Sequence, residues 1–112
     1  MRSDYREVWA EVYFLSSEEG GRCFPVDLSE PDSSLYRPLA DFGFGDTEDG
    51  FPIRCAAQVM LDEPGFIEPG VKRTLRVAFQ CPEDAVRPGA HFELGEGPRK
   101  VVARGRVVSI IE

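Results

Sequence analysis

The chain lacks any run of about 18 apolar residues, which excludes a membrane-crossing helix. It opens Met1-Arg2-Ser3-Asp4-Tyr5-Arg6-Glu7 with mixed charge and no apolar stretch behind it, so no secretory leader is expected and the cytoplasm is the expected compartment. Cysteine is scarce and odd in number: Cys23, Cys55 and Cys81 stand far apart, which fits unpaired thiols better than a disulfide framework. Lysine is scarcer still. Lys72 and Lys100 are the only two, and neither follows the glycine-rich loop that cradles a nucleotide's phosphates, so no nucleotide-hydrolysing apparatus is expected. Zinc needs clustered Cys and His, which the spacing does not offer, and no metal or cofactor is expected. Cys55 and Cys81 instead read as small core hydrophobes on strands.

Positive charge is also short, with 13 Lys and Arg against 20 Asp and Glu, for a net charge of −7. That sign argues against nucleic acid as a partner of the whole surface, because phosphate binding draws on Lys and Arg. The imbalance is uneven. Residues 1–50 carry twelve acids and four bases, a balance of −8, whereas residues 51–112 carry eight acids and nine bases, a balance of +1. A local basic face in the second half is compatible with that distribution.

What the chain has in quantity is punctuation. Its 112 residues suit one domain spanning 1–112, and 11 Gly and 9 Pro interrupt it too often for long helices. Between the breaks lie segments with strand character. Glu7–Leu15 alternates Val8, Ala10, Val12 and Phe14 with Glu7, Trp9, Glu11 and Tyr13. Lys72–Cys81 sets Leu75, Val77, Phe79 and Cys81 inward, with Lys72, Thr74, Arg76 and Gln80 outward. With Tyr36–Phe44, Ile53–Leu61, Ala90–Leu94 and Lys100–Ile111 the count is six strands, separated by turns such as Glu18–Arg22, Glu63-Pro64-Gly65 and Arg87-Pro88-Gly89. Six short strands and no helix predict an all-β fold, a small Greek-key barrel or sandwich.

Chemistry-bearing clusters are few. His91 with Cys81 or Cys23 is the only pairing that resembles a nucleophile and its base, and a histidine opening a strand is more commonly structural. The acidic run Asp46–Asp49 lacks the ligand spacing of a calcium loop and reads as a solvated loop. More distinctive is Arg99, Lys100, Arg104 and Arg106, four bases with no acid between them. Lys100, Arg104 and Arg106 share one parity along a strand and are expected to line one face. Such a stripe would meet RNA phosphates or an acidic partner, or be balanced by acids on neighbouring strands.

Several segments, in order, resemble the third, C-terminal domain of elongation factor Tu. Ala10-Glu11-Val12-Tyr13-Phe14-Leu15-Ser16-Ser17-Glu18-Glu19-Gly20-Gly21-Arg22 is similar to that domain's opening strand and its Glu-Glu-Gly-Gly-Arg turn. Tyr36-Arg37-Pro38 matches a Tyr-Arg-Pro strand start, and Glu68-Pro69-Gly70 a Pro-Gly turn. His91–Gly97 and Gly105–Ile111 resemble its last two strands. The resemblance implies a small closed six-stranded antiparallel Greek-key barrel. It also implies a protein-docking surface around Glu18, Glu19, Gly20, Gly21, Arg22, Tyr36 and Arg37, since the family packs on its GTPase domain near that loop. Cys23-Phe24-Pro25 stands where the family has His-Thr-Pro, and Leu39 where the bacterial factor has a tRNA-side Gln.

The leading expectation is therefore a non-catalytic, free-standing barrel that binds a protein, associated with translation through surface mimicry. A second reading is a small acidic inhibitor or immunity-type protein, whose acids at Asp27–Asp32 and Asp46–Asp49 meet a basic toxin. A third is a tRNA-binding module using Arg99, Lys100, Arg104 and Arg106.

Overall fold

The alternating apolar positions form strands because a strand places every second side chain on one face. The computed structural model describes residues 5–29, 36–97 and 100–111. Its strands are β1 (Arg6–Phe14), β2 (Val26–Leu28), β3 (Leu39–Asp41), β4 (Cys55–Met60), β5 (Gly65–Ile67), β6 (Lys72–Gln80), β7 (His91–Glu96) and β8 (Lys100–Ile110). In β1 the expected inward set is buried: Val8, Ala10 and Val12 are fully covered and Phe14 nearly so. Leu75, Val77 and Phe79 do the same in β6.

Six of these strands close into an antiparallel barrel in the order β1-β6-β4-β3-β7-β8. β3, β4 and β6 follow one another as antiparallel neighbours, and β1 lies beside β6, which is the Greek-key arrangement. The long ladders are β1 on β6, from Arg6↔Phe79 to Tyr13↔Lys72, and β1 on β8, from Val8↔Ile110 to Phe14↔Ala103. β8 reaches both its neighbours through two register shifts, one opposite Trp9/Ala10 and one opposite Leu94/Gly95. Bulges of this kind add local twist and help a short sheet curl shut.

The interior is filled by small apolar side chains around an aromatic cluster. Phe79 stacks edge-on to Phe42 and Phe92, each at 5.0 Å between ring centroids. Gly105 is required there, because a Cβ at that position would strike the Phe92 ring. β2 and β5, unforeseen in the sequence, pair as a separate two-stranded sheet through Val26↔Ile67, Asp27↔Phe66 and Leu28↔Gly65. Val26, Leu28 and Ile67 join the barrel's hydrophobic core. Each of these strands is three residues long, too short to show alternation.

Three local expectations change. The strand expected over Tyr36–Phe44 shrinks to Leu39–Asp41 plus one bridge from Tyr36 to Val59. Pro38 has no N–H to offer the ladder. After Asp41 its own carboxylate takes the Gly43 N–H at 2.7 Å, and Gly43 turns the chain at φ +89°. Lys100, Arg104 and Arg106 are all exposed, but the alternation between them is broken. The shift opposite Leu94/Gly95 falls between Lys100 and Arg104, so Val102, which shares their parity, is buried.

The cysteine expectation also falls. Cys55 and Cys81 are joined by a disulfide, with Cα atoms 5.3 Å apart and a sequence separation of 26. The β4–β6 register, which pairs Ala56 with Gln80, sets Cys55 directly opposite Cys81 one step further on. Wide sequence spacing had hidden a contact that strand pairing creates. Among the described residues no helix is long and apolar enough to cross a membrane.

Candidate functional site

The Glu18–Arg22 segment follows β1 as a capped turn. A 3-10 turn spans Ser17–Glu19, with Ser16 as its N-cap. The Glu19 N–H donates to Ser16 Oγ at 3.3 Å while the Ser16 N–H donates back to Glu19 Oε1 at 2.9 Å, a reciprocal capping box. Gly20 ends the turn in the left-handed region at φ +94°, and Gly21 passes so close to the Leu15 carbonyl that any Cβ would collide with it. The paired glycines thus serve two different needs.

Glu19 is further held from the barrel wall. The Tyr13 hydroxyl donates to Glu19 Oε1 at 2.5 Å. That hydrogen bond, with those from Ser16, holds the Glu19 carboxyl below the usual carboxylate range, and it pushes the Tyr13 phenol upward. Arg104, opposite Tyr13 in register, adds to the pull on Glu19. The turn and the basic residues of β8, expected as separate sites, therefore adjoin across Tyr13.

Arg22 and Tyr36 meet on a residue that sequence reasoning did not single out. Arg22 Nη1 donates to Glu96 Oε2 at 2.6 Å, and the Tyr36 hydroxyl donates to the same oxygen at 2.5 Å. The Arg22 guanidinium also lies 5.6 Å from the centre of the Tyr36 ring and donates through Nε to the Phe24 carbonyl at 3.1 Å. Burial, reinforced by the Glu96 carboxylate, pushes the Tyr36 phenol far above its ordinary range. Arg22 and Glu96 are 30% and 29% exposed. With Tyr36 this pair is a clasp joining the turn, the segment that leads into β3 and the end of β7, rather than a charge presented to solvent. Glu18 and Arg37 do face solvent.

Each described base of the stripe lies beside an acid. Arg104 Nε pairs with Glu93 at 3.2 Å, Arg106 sits opposite Glu11, and Lys100 opposite Glu96. Arg99 lies outside the described residues. Lys72 Nζ reaches Glu11 Oε1 at 3.0 Å, and this hydrogen bond, with a further contribution from Arg106, holds the Glu11 carboxyl below the usual range. The outer wall of β7, β8, β1 and β6 is thus a band of alternating charge. Glu93 and Glu96 carried no signal by themselves, since only the pairing register reveals what they face.

No family model and no curated protein matches this chain.

The remaining candidates are dispersed. Cys81 is bound to Cys55 and has no thiol to pair with His91, while Cys23 is a free, exposed cysteine. His91 is exposed opposite Arg106. Asp46–Asp49 occupy an exposed loop, closed by the Gly50 N–H donating to the Thr47 carbonyl at 3.0 Å. Among the described residues no three His, Cys, Asp or Glu side chains converge as a metal ion requires.

Proposed function

We propose that this chain is a non-catalytic barrel that binds a protein partner, working in the cytoplasm as a translation-associated module related to the third domain of elongation factor Tu. The observation that carries the reading is the rigid Glu18–Arg22 turn set beside the charged wall of β1 and β8. A capping box, two glycines with separate steric duties and the Tyr13–Glu19 bond fix its shape before any partner arrives. Pre-organisation of this kind lowers the entropic penalty of docking. Within the surface expected from the resemblance, half-buried Arg22 and Tyr36 serve as anchors, exposed Glu19 is tied to Tyr13 and Ser16, and exposed Glu18 and Arg37 are the side chains offered outward. Mimicry then consists of presenting a barrel face to a surface that otherwise receives the factor's third domain.

Protein is favoured over RNA because Arg104 and Arg106 lie beside Glu93 and Glu11, so a phosphate would have to compete with carboxylates already in place. The toxin-inhibitor reading rests on different segments, the exposed Asp46–Asp49 loop and Asp27–Asp32, of which 30–32 lie outside the described residues, on a chain of net charge −7. It predicts an association rate that falls steeply with salt.

The test is a native pull-down with and without RNase, run on the wild type and on a Glu18→Arg, Arg37→Glu double variant. Recovery of a translation GTPase that resists RNase and is lost in the variant supports the proposal. A partner retained by the variant but lost when Asp46, Glu48 and Asp49 are neutralised replaces it with the inhibitor reading. Recovery of tRNA alone rejects it.

A further inference from the structure

We propose that Cys55 and Cys81 form a reversible redox-modification site, a dithiol–disulfide pair that locks or releases the barrel beside β4 without dismantling it. Several independent features lead there. The two residues face each other across the β4–β6 ladder, so the thiols are held together whether bonded or not. Both are half-buried at the margin of the core rather than sealed inside it, which leaves them open to exchange with small thiols. Neither belongs to the buried cluster of apolar residues that, among the described residues, fills the barrel.

The reduced form is equally well provided for. Cys55 Sγ lies 3.6 Å from the Ala40 carbonyl and Cys81 Sγ 3.8 Å from the Ala56 carbonyl. Each freed thiol therefore has an acceptor for its S–H, and neither cavity nor unpaired charge is left behind. An obligate staple belongs to domains too small to build a core, and a chain of 112 residues is not one of them.

The position defines what the lock controls. Cys55 ends the β3–β4 pairing at Ala40↔Cys55, and the connection from 42 to 54, with its acidic loop, begins just beyond. Cys81 is where β6 leaves the barrel for the connection to β7. Reduction releases the shared hinge of these two connections and leaves the long β1 ladders intact.

The chemistry balances as thiol–disulfide exchange. A thiolate from a low-molecular-weight thiol attacks one sulfur and releases the other as a thiolate, which takes up the proton the small thiol gave to water; a second such thiolate attacks the mixed disulfide and releases the remaining protein sulfur, which is protonated in the same way. Two protein thiols and one small-molecule disulfide result, with two electrons passed to the protein. The reverse reaction uses a small-molecule disulfide as oxidant.

The experiment uses the full chain, dithiothreitol and oxidised glutathione as the redox pair, and iodoacetamide labelling read by mass spectrometry. Exposed Cys23 reports total labelling efficiency. Native conditions are expected to give one label before reduction and three after it; reoxidation with oxidised glutathione is expected to return Cys55 and Cys81 to the unlabelled disulfide and to leave Cys23 as a glutathione mixed disulfide, identified by its mass. Circular dichroism of the reduced chain is expected to keep its β signature, while amide exchange quickens in 42–54 and 81–90 only. The folded-to-unfolded ratio is expected to fall by roughly 400-fold, the loop-closure effect of a 26-residue span. Three labels before reduction, or global unfolding on reduction, overturns the proposal. A Cys55→Ala, Cys81→Ala variant separates the bond from the reagent, and its failure to fold would make the bond an obligate staple.

Discussion

Replacing Glu96 removes the one acceptor that Arg22 and Tyr36 share. In Glu96→Ala the Tyr36 hydroxyl and the Arg22 Nη1 both lose their 2.5–2.6 Å partner, and Tyr36 cannot turn its half-buried ring to solvent without unpacking from the core. A fully buried donor left without a partner costs about 1–3 kcal/mol, and the half-buried Tyr36 hydroxyl falls within the middle of that range rather than at its top. The ionic component adds little, because side chains 30% and 29% exposed are screened by water. The sum is about 2 kcal/mol, or a drop in Tm of about 10 °C for a domain of this size. Urea and thermal unfolding of Glu96→Ala, Arg22→Met and the double variant form a cycle whose coupling is expected to be about 1 kcal/mol.

The pH dependence gives a second readout. Tyr36 has a folded pKa above its ordinary value of 10.0, so its stabilising contribution is complete below that value and is lost as pH rises past it. The wild type is therefore expected to lose stability above about pH 10, and Glu96→Gln to show a shallower loss, since burial continues to act. A Glu96→Ala variant within 0.5 kcal/mol of wild type, roughly the noise for surface positions, together with no coupling to Arg22, would refute the clasp.

Other outcomes follow from the same geometry. Gly105→Ala drives a methyl group into the Phe92 ring and is expected to cost about 1–3 kcal/mol, with Phe92→Leu restoring most of it in the double variant. Opening the Cys55–Cys81 bond in the alanine pair is expected to lower unfolding free energy by about 3.5 kcal/mol, read from urea midpoints. Tyr13→Phe removes the main hydrogen bond that holds the Glu19 carboxyl low, so the Glu19 titration seen by NMR is expected to move toward 4.5. Glu19 contributes stability that is present above its unfolded pKa and is lost as pH falls through its folded one. The acid limb of the stability profile should accordingly flatten in Tyr13→Phe.

The long strands were legible because alternation over nine residues leaves one assignment for β1 and β6, and their buried faces follow the parity of Val8 and Leu75. β2 and β5 were not, since three residues carry no period and Gly65 reads as a turn. Register was the larger gap. It decides that Cys55 meets Cys81, that Arg104 meets Glu93, and that Glu96 receives Arg22 and Tyr36 from 74 and 60 residues away. No local pattern encodes those distances. Arg22 and Tyr36 were named together only through a family resemblance, and their physical connection is a carboxylate on β7. A bulge likewise defeats parity: Lys100 and Arg104 are even-numbered, yet an extra residue of β8 separates them.

The barrel closes through a seam between β1 and β8, where Val8 pairs with Ile110 and the Ile111 N–H donates to the Glu7 carbonyl at 2.9 Å. During synthesis β1 is among the earliest strands made and β8 the last of the eight, so a nascent chain carries β1 with one edge unpaired until Ile110 has left the ribosome. An exposed edge of nine residues is a template for wrong pairings. The same seam brings residues 6 and 111 to one side of the molecule. A circular permutant that joins them through a short linker and opens the chain within the 46–50 loop would make β1 and β8 sequential neighbours, and it should fold with less exposure to misassembly than the natural order of strands.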